Sequence, residues 1–578
     1  MTMHTRRRFG RRDFLCGSVA LTGGTAIAAL LAACGGSGAT PTAPVVVPAA
    51  TTMPASAPAT ARAAGGTSAA APPATAAAVG AAPTAAASGG KTIAGLRIAV
   101  ADLPESMDPH ESISNVGMRV HYFTFDTLIR RDFLDNSKLV PGLATEWKRL
   151  DDKTLELTLR QGVLWQDGSP FTAADVKYTF DRLIAKDPKL EVASPGYFPL
   201  ATVEVLDDFR VRLAATSVDP VLERRFAGLG AQIIPAKYHQ QVGTDAFRTK
   251  PLGTGPYRMV EYLKDERMTF EAHDRYFGGA PAAKKVTMRV IPETAARLAA
   301  LQSGEVDLVT NVPPDQIASL RSRRDVVIKQ ESLANIHLLR FNMKVKPFDN
   351  KLIRQAVSYA IDRKTLVETI WGGNAIHTRG FQYEGEEFFN PNRPPTPYDP
   401  ERARALLSQG GYANEPIVFL TDSPNYYTNG REAAEVIVEM WRQAGINSKL
   451  ELIENAQKSA AIAQNTRHVS SWSATSGTGD PDGYLWRNWG PDNGQQKNGW
   501  WAKDSAAQFT QLGREARSTI DTQRRFDLYQ QMLDQWDDEA PGTTLYAPKE
   551  TYALRNTIDW TPYPLYYMDL RPYNFKVK

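Results

Sequence analysis

Residues 35–90 decide where folding can begin. The stretch is almost entirely Ala, Pro, Thr, Gly, Ser and Val, and Arg62 is its one charged residue. Such a composition cannot bury enough apolar surface to offset chain ordering, so the segment is expected to be disordered. As a coil it would reach ~40 Å on average. The fold must therefore come from residues 91–578, a length that suits two to four lobes. No internal repeat appears at solenoid or propeller periods.

Residues 1–34 read as an export leader. Arg11-Arg12-Asp13-Phe14-Leu15 is followed by a weakly apolar stretch from Val19 to Ala33, interrupted by Gly23 and Gly24. That stretch is shorter than the ~20 residues a spanning helix needs. The paired arginines resemble a twin-arginine signal, and Leu31-Ala32-Ala33-Cys34 resembles a lipobox. The expectation is that residues 1–33 are removed and that Cys34 carries acyl chains. The protein would then sit outside the cytoplasmic membrane, in a periplasm or cell-wall space, with residues 34–90 as its tether.

Cysteine and charge narrow the chemistry. Cys16 lies in the leader and Cys34 would be lipidated, which leaves no thiol for catalysis, disulfides or metal. Of 67 basic and 63 acidic residues, residues 1–33 hold five arginines and one aspartate, which leaves 62 of each. A neutral mature chain lacks the electrostatic driver of nucleic-acid binding.

The folded part mixes strands and helices without strict alternation. Leu96–Val100 and Thr154–Leu159 alternate as strands, and Val203–Val205 and Val211–Leu213 flank a hairpin turn at Asp207-Asp208. Thr172 and Asp175 form a capping-box pair before a helix with Val176, Phe180 and Ile184 on one face. Asp349 is expected to cap a helix striped by Leu352, Ile353, Ala356, Val357, Ala360 and Ile361, with Lys351 and Arg354 solvated on its polar face. Further helices are expected from about Pro400 to Gln409, stopped at Gly410-Gly411, and from Arg431 to Ala444, followed by a strand Lys449–Ile453. This pattern implies a multi-lobed α/β protein.

Catalytic signatures are missing from the sequence. His110-Glu111 begins like a zinc-protease helix, but Ser114 stands where the second histidine belongs. Gly90-Lys91-Thr92 has Ala85 where a phosphate loop needs glycine, and Gly253-Thr254-Gly255 runs into Pro256. There is no Gly-x-Ser-x-Gly, and the eight histidines lack ligand spacing. Asp480-Pro481-Asp482-Gly483 reads as a turn rather than a calcium loop. Neither a cofactor nor a metal is expected.

Several segments resemble one family in order along the chain. They are Val140-Pro141-Gly142-Leu143-Ala144-Thr145-Glu146-Trp147, the run from Gln161 through Trp165-Gln166-Asp167-Gly168 to Val176, Gly253-Thr254-Gly255-Pro256-Tyr257, Leu301-Gln302-Ser303-Gly304-Glu305-Val306-Asp307, and Arg354 to Arg363. Together they resemble the family 5 solute-binding proteins of ABC importers, the oligopeptide-, dipeptide- and nickel-binding group. The resemblance implies a two-lobed periplasmic-binding-protein type II α/β fold with an extra subdomain. Lobe I would comprise 91–130, 249–338 and 548–578, the extra subdomain 131–248, and lobe II 339–547. A solute would be enclosed between the lobes by a hinge motion and delivered by a monomeric receptor to membrane permease subunits. A surface sensor or adhesion protein on the same fold, and an extracellular hydrolase, are the competing readings.

Five of eleven tryptophans fall within residues 472–501. Rings on loops offer large contact area at low entropy cost, so Trp472 and Trp500 are assigned to the pocket, and Trp486 and Trp489 to the core. The resemblance places the segment from Trp472 to Pro481 and that around Trp500 beside the ligand. The candidate lining set is Trp472, Thr475, Gly477, Asp480, Trp500, Tyr426 and Asn335. Peptide-binding members carry an aspartate, for the ligand's ammonium, where this chain has Gly477, while Asp480 matches a structural acidic position. Dipeptide-binding members carry an arginine, for the ligand's carboxylate, where this chain has Pro424. These departures argue against a short free peptide gripped at both ends. A longer peptide held through its backbone, or an uncharged or sugar-like solute stacked on rings, fits equally well, and a free nickel ion is not expected.

Overall fold

The alternating segments do become strands: Leu96–Val100 joins a twelve-stranded sheet, whereas Thr154–Leu159 and the hairpin strands around Asp207-Asp208 join a four-stranded one. The computed structural model describes residues 90–111, 113–193, 196–423, 427–492 and 494–578. The leader, Cys34, the linker up to residue 89, Pro424 and Tyr426 lie outside the described residues.

The long strand Gly542–Arg555 ties the two halves of the sheet together. Its first residues pair with Asn335–Phe341, and its later ones with Leu308–Val309 and Val326–Ser332. In one half, Leu96–Val100 runs parallel to Lys285–Val290 and Leu308–Val309. In the other, Ile417–Ser423 runs parallel to Ser448–Glu454 and Val469–Thr475. Each half has its own core: Leu96, Ile98, Phe270 and Trp560 in the first, Phe341, Ile353, Phe419 and Trp441 in the second.

A separate four-stranded antiparallel sheet is inserted between strands of the first half. Its order is Ala144–Asp151, Thr154–Leu159, Arg210–Ala215, Leu200–Asp207, and it packs on the helix Ala173–Ile184. Thr172 and Asp175 do form the capping box. Gln166 explains why the Trp165-Gln166-Asp167-Gly168 run matters. Its Nε2 donates to the carbonyls of Thr124, Gly255 and Tyr257, and its Oε1 accepts from the Gly253 amide at 3.0 Å. The Gly253-Thr254-Gly255 turn lies against the Thr124 carbonyl so closely that a Cβ at Gly253 would sit 2.0 Å from that oxygen. Only glycine permits this approach.

Two sequence expectations are corrected. Asn350, not Asp349, caps the helix Lys351–Tyr359; its side chain accepts from the Leu352 amide and donates to the Gly410 carbonyl. Arg354 is not solvated. It is 2% exposed and donates to the carbonyls of Phe348, Asp349, Glu539 and Ala540, because the end of the helix Thr522–Glu539 docks on that face. The helix Gly430–Gln443 and the strand Ser448–Glu454 agree with expectation to within one residue at each end.

A further core cluster draws on all parts. Met118 and Tyr122, Leu229 of the insert, Trp489 and Trp536, and Tyr567 pack as one body. The halves are thus apposed, with a cleft left between them.

Candidate functional site

The cleft lies where parallel strands end. Asp102 follows Leu96–Val100, Glu293 follows Lys285–Val290, and Asn311 follows Leu308–Val309. From the facing half, Glu454 closes the strand Ser448–Glu454. Carboxyl ends of parallel strands are the recurrent binding edge of open α/β sheets. Two adjacent chambers result, of about 220 Å³ and about 130 Å³, sharing Asn115 and Tyr427 in their walls.

The first chamber is rich in carboxylates. Arg119, on the helix Asn115–Thr124, pairs with Glu550 at 3.0 Å and lies over the Tyr566 ring at 5.3 Å. Its Nη1 has no partner. Burial pushes the Asp102 carboxyl up from its ordinary value, against a hydrogen bond donated by the Leu103 amide. Asp102, Glu293 and Glu454 have no ion-pair partner within 4.0 Å among the described residues.

Trp472, Ser473 and Thr475 from one strand, Tyr197 and Leu229 from the insert, and Arg487 line the second chamber. Trp472 and Ala474 share one face of the strand Val469–Thr475 and both line the chamber, Ala474 as a member of the shared core cluster and Trp472 packed against it, partly exposed. Behind Trp472, the Arg340 guanidinium stands 4.6 Å from its ring and 5.6 Å from that of Trp500. Burial lowers the Arg340 pKa to about 10.

The expected site residues are therefore not all neighbours of one space. Trp472 and Thr475 line the second chamber. Asn335 is buried behind the same wall, where it donates to Thr475 Oγ1 at 2.7 Å, and its Oδ1 lacks a partner. Trp500 is 2% exposed and lines neither chamber; it packs on Arg340. Gly477 packs against the Gly483 and Gly228 backbone. Asp480 is fully buried, caps the turn Pro481–Gly483 and accepts from Arg525 Nη2 at 3.0 Å through both oxygens. Burial pushes its carboxyl up to about 6 against that arginine's pull. Trp486 and Trp489 belong to the shared core cluster. The chamber residues Asp102, Arg119, Glu293 and Tyr197 come from separate segments and gave no local signal. Arg487 lay inside the tryptophan-rich run, and its charge there was the clue.

Among the described residues, no group of three His, Cys, Asp or Glu is placed to hold a metal. No helix among them is long and apolar enough to cross a membrane.

Comparison with known proteins adds a family match, two relatives and two solved structures. The model of bacterial extracellular solute-binding proteins, family 5 (middle), matches residues 138–496. The dipeptide-binding protein of Escherichia coli (strain K12) is 28% identical over 438 residues, covering 71% of this chain and 81% of that protein. Heme-binding protein A of Haemophilus influenzae is 26% identical over 440 residues, covering 70% and 78%. Among solved structures, a dipeptide-binding protein from Pseudoalteromonas sp. SM9913 in complex with Met-Leu superposes with a TM-score of 0.76 at 23% identity, covering 84% of this chain and 100% of that one. NikA from Staphylococcus aureus in complex with Ni(L-His)2 gives 0.73 at 18%, again over 84% and 100%. Both share the two-lobed type II fold.

Proposed function

Since the chain belongs to family 5 of the bacterial extracellular solute-binding proteins, the receptors of ABC importers, we propose that it captures one peptide-like or other organic solute in the cleft between its halves and hands it on chemically unchanged. The observation that carries this reading is the pair of joined chambers at the carboxyl ends of both parallel strand sets. The names of similar proteins, which include dipeptide- and glutathione-binding proteins, support a solute of peptide-like chemistry. The ligand contacts Trp472 and Thr475, and Asn335 holds Thr475 in place from behind.

In this reading lobe I comprises 91–130, 249–338 and 548–578, the extra subdomain 131–248 and lobe II 339–547. Cys34 is acylated, residues 35–90 tether the receptor to the outer face of the membrane, and it works as a monomer. Purified protein should bind one solute per chain from a panel of peptides, amino-acid conjugates and sugars, with a change in tryptophan fluorescence as Trp472 is covered. Failure of every panel member to bind, or release of an altered molecule, would refute the receptor reading.

A further inference from the structure

Arg487 is a buried cation in the wall of the second chamber, and no carboxylate answers it. It is 7% exposed, held by the short helix Leu485–Trp489. Its Nη2 donates to the Thr475 carbonyl at 2.6 Å and its Nη1 to the Tyr197 hydroxyl at 3.1 Å. Its Nε has no partner. The guanidinium also lies 5.0 Å from the Tyr197 ring. No Asp or Glu oxygen comes within 4.0 Å of it among the described residues; Glu191 reaches it only through the Tyr197 hydroxyl, which donates to Glu191 Oε1 at 2.9 Å.

A guanidinium taken out of water without a counter-ion is costly, and the cost is relieved by an anion that arrives with its own hydrogen-bond acceptors. Most other buried arginines meet carboxylates or a full set of carbonyls; Arg340, set against the Trp472 and Trp500 rings, is an exception, and it lines neither chamber. Arg119 faces Glu550, Arg225 faces Asp219 and Asp482, Arg571 faces Asp126 and Asp569, and Arg363 is wrapped by the Ser358, Ile361 and Thr544 carbonyls. Arg487 has neither and faces the ligand space. Its two amino groups are anchored to opposite walls, to the strand Val469–Thr475 and to the insert, so the fork is held fixed. A fixed fork favours a planar, charged acceptor over a neutral one.

We propose that Arg487 is the specificity-determining residue of the cleft, and that the solute carries a carboxylate that seats against it in the second chamber beside Trp472. This deepens the receptor reading and rests on it. It also gives the solute a charged end, contrary to what the missing aspartate and arginine at Gly477 and Pro424 imply when read alone.

The experiment compares short peptides with free carboxyl ends against the same peptides as C-terminal amides, by calorimetric titration of the whole mature protein. The free acids are expected to bind ~30-fold or more tightly than the amides. Arg487→Gln should erase that preference, and Arg487→Lys should restore part of it. Circular dichroism and thermal melting of each variant establish that it is folded, and Tyr197→Phe, which frees Nη1 without removing the charge, should keep the preference if Arg487→Gln does not fold. Equal affinity for acids and amides in the unmodified protein overturns the assignment while leaving the receptor reading intact. So does an Arg487→Gln variant that still prefers acids. Binding of neither set, with binding of sugars or other neutral solutes, overturns it too; binding of nothing at all overturns both.

Discussion

Replacing Asp482 by asparagine tests whether the apposed state of the halves is held by charge. Asp482 is 1% exposed on the turn that follows the strand Val469–Thr475. It meets Arg225 of the insert at 2.6 Å and Arg517 at 2.5 Å. Burial alone would push its carboxyl up, yet the two arginines outweigh it and hold it at about 2, below its ordinary 3.8. That difference corresponds to ~2 kcal/mol of net stabilisation by the ionised form. Asp482→Asn leaves Arg225 paired with Asp219 and Arg517 partly exposed, so the cost stays at ~2 kcal/mol rather than that of a buried charge left wholly unpaired. Arg225 belongs to the insert and Asp482 to the facing half, so this interaction exists only when the two are together. A receptor that binds its solute in the closed state loses affinity in proportion to the closed population. Asp482→Asn should therefore weaken solute binding by ~30-fold. Calorimetric titration gives that number. Small-angle scattering on the liganded variant should show a larger radius of gyration than the parent at equal solute. Binding within twofold of the parent, with an unchanged radius, would refute the argument that this pair stabilises closure.

Three further outcomes follow from the same physics. Gly253→Ala forces a Cβ to within 2.0 Å of the Thr124 carbonyl oxygen; a loss of about 3 kcal/mol in urea unfolding is expected, and a loss under 1 kcal/mol would show the turn can relax. Trp472→Ala should weaken binding roughly tenfold and remove most of the ligand-dependent fluorescence change; full retention of both would place the solute elsewhere. Burial lowers His110 and His121 to about 4, so the unfolded chain takes up protons first, and each costs up to ~3 kcal/mol of stability between pH 6.5 and 4. Asp480, raised to about 6, acts in the opposite sense over pH 6 to 4. The net expectation is a decline of ~3 kcal/mol as pH falls from 6.5 to 4, read from urea midpoints; a flat or rising profile would contradict it.

The sequence made the local elements readable because each carried its own periodicity and caps. Thr172 with Asp175 and the alternating run Thr154–Leu159 needed no tertiary context. The Gly253-Thr254-Gly255 turn was legible as a close approach, though not what it approached. Arg354 was misread because the helix that buries it, Thr522–Glu539, is distant in sequence. Trp500 shows the same limit. A ring count could place it on a loop, but only the fold shows Arg340 sitting between it and Trp472. The site itself is assembled from at least five separated segments, so no spacing in the chain could announce Asp102, Arg119, Tyr197 and Arg487 as parts of one cleft.

The central claim is that one solute is enclosed between the halves and leaves unaltered. Native mass spectrometry of the protein purified from its own cells, followed by denaturation and mass measurement of what is released, tests it directly. The account predicts a single organic solute per chain, recovered with the same mass after incubation and able to rebind. A chain that carries nothing and binds nothing, or that returns a solute of changed mass, would contradict it.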